Sequence, residues 1–100
     1  MSFKLVVRPE VDADLLVAEE WYEDQESGLG NAFLRDVVAT IERILVNPLI
    51  YRVRYGRRPV RWAYTRRFPY RVIFHIDNDT VVIDTVIHSA RHERIWKKRL

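Results

Sequence analysis

Cysteine is absent from the 100-residue chain, which excludes a disulfide framework and any metal site built on thiolates. Glycine and proline are scarce, at three and four residues, and they do not cluster, so no linker, repeat or low-complexity tract divides the sequence. Long hydrophobic runs are missing as well. No apolar stretch approaches the ~18 residues needed to span a bilayer, and Met1 to Val7 lacks the charged start and apolar core of a signal peptide. These absences lead to the expectation of a cytoplasmic protein without a membrane partner. The length suits one domain, residues 1–100, with one hydrophobic core serving every element. With 48% hydrophobic and 31% charged residues, the composition is that of an ordinary globular protein and not of a disordered one.

The most informative scarcity is local. From Arg43 to His75 there is no acidic residue, and the cations of that stretch are Arg43, Arg52, Arg54, Arg57, Arg58, Arg61, Arg66, Arg67 and Arg71, with no lysine. The net charge of +3 therefore hides two opposed parts: residues 1–42 hold three basic and ten acidic residues, residues 43–100 fourteen basic and four acidic. Arginine forks onto phosphate and stacks on bases, so the preference points to an anionic partner. The plainer alternative is a solvated face that also pairs with the acidic half.

Residues 3–8 alternate loosely and end at Pro9, the pattern of a short strand followed by proline in the first turn of a helix. Val11, Leu15, Ala18 and Tyr22 then recur at helical spacing, with Leu16 and Trp21 widening the stripe and acidic residues opposite. Gly28 and Gly30 supply a breaker. A second helix follows, on Phe33, Val37, Ile41 and Ile44, and ends near Asn47-Pro48. Gly56, Pro59 and the arginines interrupt any pattern over residues 49–60, which read as loop with a possible short strand. Residues 61–65, 70–76 and 80–88 read as strands, the last two joined by the turn Asp77-Asn78-Asp79. Residues 92–99 can form a short terminal helix carrying Trp96. The expected fold class is α+β: an N-terminal strand and helical hairpin packed on one face of a small, mainly antiparallel sheet, with a short C-terminal helix or tail. The other sheet face is expected to stay available for a ligand.

The run Arg67-Phe68-Pro69-Tyr70-Arg71-Val72-Ile73-Phe74, the hairpin arm Asp79 to Ile83, the exit Val86-Ile87-His88-Ser89-Ala90-Arg91 and the basic tail Trp96-Lys97-Lys98-Arg99 resemble the RelE/ParE toxin superfamily. The resemblance spans essentially the whole chain, and the Arg-Phe-Pro-Tyr start of one strand and the His-x-x-Arg exit of the next are its most specific parts. It implies a type II toxin with a twisted antiparallel sheet against a helical hairpin, a cognate antitoxin as partner, and no cofactor. The target is left open between DNA gyrase, as for ParE-like members, and the ribosome with its mRNA, as for RelE-like ribosome-dependent endonucleases. A degenerate, non-toxic binding module is the third possibility.

Cleavage of RNA by its own 2′-hydroxyl needs a base, a cation for the phosphorane and an acid for the leaving oxygen, and no metal. His88, Arg91 and Tyr70 form a sufficient set if the protein is a nuclease, with His92 nearby. Each has a structural reading beside the chemical one: a hydrogen-bonding histidine at a strand end, a buried ring after Pro69, a solvated arginine. Arg57, Arg58, Arg61, Arg67 and Arg71 are the candidates for holding an anion or the target. His88 and His92 at helical spacing make a poor metal pair without further ligands. The acidic first helix departs from the basic ribosome-facing surface that the resemblance implies for the endonucleases. For the carboxylate base that the resemblance implies in the second helix of some members, Glu42 is the only candidate near that helix's end. A gyrase inhibitor needs only a complementary surface, and the inhibitor reading is preferred.

Overall fold

The structure, a computed structural model, describes residues 2–54 and 59–90. Strand β1 (Lys4–Val7) leads into helix α1 (Pro9–Gln25), antiparallel helix α2 (Leu29–Val46), a single 3₁₀ turn (Pro48–Ile50), and strands β2 (Arg61–Tyr64), β3 (Tyr70–Asp77) and β4 (Thr80–His88). The sheet order is β1-β4-β3-β2; β2, β3 and β4 are antiparallel, and β1 closes the edge parallel to β4. This is the α+β arrangement that the residue pattern implies. A terminal helix over residues 92–99 falls outside the described residues.

The core forms where the helical stripe meets one sheet face. Val11 of α1 and Phe33, Val37 and Ile44 of α2 are fully buried against Val72, Phe74, Val81, Ile83 and Val86. Four rings close one end of it: Phe33 lies 5.2 Å from Tyr22, 5.6 Å from Phe68 and 4.9 Å from Tyr70, centre to centre. The first pair is stacked, the second edge-on and the third tilted, at separations where aromatic pairs attract beyond simple burial. Asn78, with φ 55° in the left-handed region, turns β3 into β4, a position asparagine tolerates better than most residues.

Three expectations are corrected. Leu16 and Trp21 do not widen the core stripe: they are 55% and 58% exposed, because their directions on α1 diverge from the Val11–Leu15–Ala18–Tyr22 side. Gly30 is not part of the break. Gly28 alone turns the chain, with φ 89°, and Gly30 lies in the first turn of α2, where a Cβ would come 2.6 Å from the Glu19 carbonyl oxygen. Glycine there lets the helices approach, and the Glu23 carboxylate takes the N–H groups of Gly28 (2.9 Å) and Gly30 (3.1 Å) in place of a capping side chain. Finally, the sheet face away from the helices is not open throughout. Val60 folds over it with Ile73, Ile87 and Trp62 as a second small cluster.

Substituting Gly30→Ala is expected to destabilise the protein by roughly 1–3 kcal/mol, since overpacking outweighs the ~1 kcal/mol by which alanine favours a helix. Urea unfolding checks this; a midpoint equal to or above the parent's would mean that the helices separate at little cost.

Candidate functional site

The arginines of the basic half divide into those that hold the fold and those that face solvent. Arg71 belongs to the first group: it is 7% exposed, and its guanidinium lies 5.0 Å over the Trp62 ring. The exposed Arg54 lies over the same ring at 4.9 Å, so Trp62 meets two cations, an arrangement worth more the less water reaches it. Arg61 donates from Nε to the Tyr51 carbonyl at 2.8 Å, tying the loop after α2 to β2. Arg66 and Arg67 are exposed, while their backbone N–H groups are committed. Together with that of Phe68 they donate to the Asp36 carboxylate at 3.2, 2.8 and 2.8 Å. The turn thus presents two guanidinium side chains outward on a backbone fixed from α2. Arg57, Arg58, Arg91 and His92 lie outside the described residues.

Tyr70 and His88 do meet. They are opposed in the β3–β4 register, and their rings pack edge-on at 5.4 Å. Tyr70 is also part of the aromatic end of the core, through Phe33 and, at 6.3 Å, Tyr22. His88 accepts from the Ala90 N–H at Nδ1, 3.1 Å. Neutral His88 in this geometry carries its proton on Nε2 and offers a donor there rather than a base. Because β1 pairs only with residues 80–83 of β4, residues 84–88 run past it and face α1 instead. Between them lies a groove of ≈ 650 Å³, lined by Val17, Trp21 and Tyr22 on one side and Tyr70, Val86 and His88 on the other.

A third constellation is not evident from the sequence. The β3–β4 register passes from Ile73 opposite Thr85 to Phe74 opposite Ile83, leaving Asp84 as the extra residue of a bulge. Its carboxylate is fully buried. Oδ1 takes the Arg8 Nε–H at 2.9 Å and Oδ2 lies 2.7 Å from His75 Nδ1. The only hint in the sequence is an aspartate interrupting the apolar run Val81 to Ile87; its partners lie 76 and nine residues away. The trio joins the β1–α1 junction to β3 and β4, with the buried charge compensated by its two partners. Among the described residues no group of three or more histidines, aspartates and glutamates is placed to hold a metal ion, and no helix is long and apolar enough to cross a membrane.

Comparison with known proteins adds to this geometry. A family model described as the ParE toxin of the type II toxin-antitoxin system, parDE, matches residues 5–93. A solved structure described as the chromosomal ParDE toxin-antitoxin system from P. aeruginosa superposes with a TM-score of 0.75 at 17% identity, covering 87% of this chain and 96% of that one. At that identity the likeness is one of fold. No curated protein matches the sequence.

Replacing Asp84 by alanine leaves Arg8 and His75 without their common partner and is expected to cost on the order of 3 kcal/mol, as for other broken buried ion pairs. Chemical denaturation measures it. A loss below about 1 kcal/mol would mean that water and the partial exposure of Arg8 and His75 replace the carboxylate almost completely.

Proposed function

The chain belongs to the ParE toxin family of type II toxin-antitoxin systems, and from that premise we propose that it arrests growth by binding DNA gyrase and is held inactive by a cognate antitoxin. The family match over residues 5–93 carries this reading. An inhibitor of this kind works by surface complementarity and needs no poised acid or base. The side chains fit that requirement: Arg52, Arg66 and Arg67 are exposed, and the backbone under Arg66 and Arg67 is held by Asp36. Arg57, Arg58 and Arg91 complete the proposed target-binding set from their place in the sequence. Arg61 supports it from below through Tyr51, and Arg71 through Trp62.

The RelE-like alternative, ribosome-dependent cleavage of mRNA, is favoured by one observation, the contact of Tyr70 with His88 beside an open groove. Against it, His88 Nδ1 is engaged by the Ala90 N–H, and the Tyr70 ring is shared with the core. For the antitoxin, the exposed cations Arg52, Arg66 and Arg67 favour an acidic segment laid over the arginine-rich region. A smaller apolar groove between β1, α1 and α2, lined by Leu5, Leu15, Val37, Val38 and Ile41, offers a seat for apolar side chains of the same partner.

Charge reversal of Arg66 and Arg67 to glutamate keeps the backbone N–H groups that Asp36 needs. It is expected to raise the concentration required to inhibit gyrase supercoiling by roughly tenfold or more. Inhibition undiminished by the double reversal would remove these residues from the target surface, and ribosome-dependent scission of a defined mRNA, abolished by His88→Ala, would replace the gyrase reading with the nuclease one. Antitoxin affinity is expected to fall with salt, as for a contact dominated by exposed charges; a salt-independent affinity would assign the antitoxin to the apolar groove.

A further inference from the structure

Helix α1 is apolar on two sides, and the core uses only one. Val17 and Trp21, one turn apart on the same face, are 69% and 58% exposed. Large apolar side chains grouped in this way on a surface mark interaction sites more often than chance placement. The face is built rather than loose: the Trp21 ring stands edge-on against Tyr22, 5.1 Å away at 85°, and Tyr22 is itself fixed by Phe33 and Phe68. Trp21 thus presents its indole in a set orientation. Around it the helix carries only anions. Glu10, Glu20 and Asp24 are exposed, Asp24 lying one turn beyond Trp21 and Glu20 one turn beyond Val17, and α1 contains no lysine or arginine.

An oriented indole rimmed by carboxylates is a site for cations. The negative face of the ring attracts an ammonium or guanidinium group, the carboxylates add charge-assisted hydrogen bonds, and Val17 receives the aliphatic stem or an apolar neighbour. The same charges repel phosphate backbones and anionic lipid headgroups. We propose that the Val17–Trp21 face of α1 is a docking surface for a cationic amphipathic segment of a partner protein, one that places lysine or arginine over Trp21 and against Glu20 and Asp24 while burying an apolar side chain on Val17. Val17 and Trp21 also form the α1 wall of the groove whose other wall carries Tyr70, Val86 and His88, so the bound segment would lie along that groove.

The probe is a pair of helical peptides of about 18 residues, long enough for five turns, one of leucine and lysine and the other of leucine and glutamate in the same amphipathic pattern. Each is titrated into the full-length, isotopically labelled chain, following the amide resonances of α1 and the indole resonance of Trp21. The lysine peptide is expected to shift Val17 and Trp21 saturably and to bind more weakly as salt rises. The exposed double substitution Glu20→Lys/Asp24→Lys is expected to weaken it by roughly tenfold or more, and Trp21→Leu several-fold through loss of the cation–π contact. Circular dichroism checks that both variants stay folded. Equal binding of the glutamate peptide, unchanged affinity of the double variant, or shifts centred on the groove between α1, α2 and β1 would each overturn the proposal. So would movement of the same resonances with protein concentration alone, which would assign the face to a second copy of the chain.

Discussion

One carboxylate fixes the relation between the helical hairpin and the sheet. Asp36, on α2, receives the backbone N–H groups of three successive residues, Arg66, Arg67 and Phe68. A turn of this kind would otherwise leave those donors to water or bury them unsatisfied. With them satisfied, Phe68 is set under Tyr22 and Phe33. Thr65 then closes the same turn by accepting the Tyr70 N–H at 3.1 Å, and β3 starts in register. The aromatic end of the core and the outward direction of Arg66 and Arg67 follow from one geometry. Arg66 and Arg67 are consequently carried on an anchored turn, which suits a protein that acts by docking.

The division of charge along the chain becomes a division in space only in part. Acidic α1 sets the exposed carboxylates of Glu10, Glu20 and Asp24 around Val17 and Trp21, and the arginine-rich stretch supplies both surface and interior. Arg71 is drawn into the fold beside the Trp62 ring, over which the exposed Arg54 also lies, and Arg8 by the buried Asp84. A guanidinium can do this because it is weakly hydrated and planar, so stacking and a single strong hydrogen bond compensate for much of its lost water. Lysine would not substitute at these places, which gives a structural reason, beside any partner, for arginine where the sequence could have carried either.

What the sequence reveals is what repeats. Val11, Leu15, Ala18 and Tyr22, then Phe33, Val37 and Ile44, identify both helices and their inner sides, and the β-branched and aromatic runs on either side of Asp77-Asn78-Asp79 identify the central hairpin. The errors arise where a single residue acts through distant partners. Gly30 looks like a breaker because its role, close approach to the Glu19 backbone, is invisible without the other helix. Leu16 and Trp21 look like core because hydrophobicity does not record direction. Arg71 looks like surface because its cover, Trp62, comes from another strand. Asp84 is silent because its partners come from the start of α1 and from β3, and a bulge was needed to turn it toward them. The placing of Tyr70 beside His88 was legible, since a tight hairpin must bring those ends together; the Nδ1 contact that turns His88 into a donor was not.

A gyrase inhibitor and a ribosome-dependent nuclease leave different traces in the cell, one in DNA topology and the other in messages. The direct measurement is to induce the chain in cells without antitoxin and, in the same samples, resolve the topoisomers of a reporter plasmid and map the 5′ ends of an abundant mRNA. The account predicts a loss of negative supercoiling that precedes growth arrest, with mRNA ends unchanged. Normal plasmid topology together with new in-frame mRNA ends would contradict it.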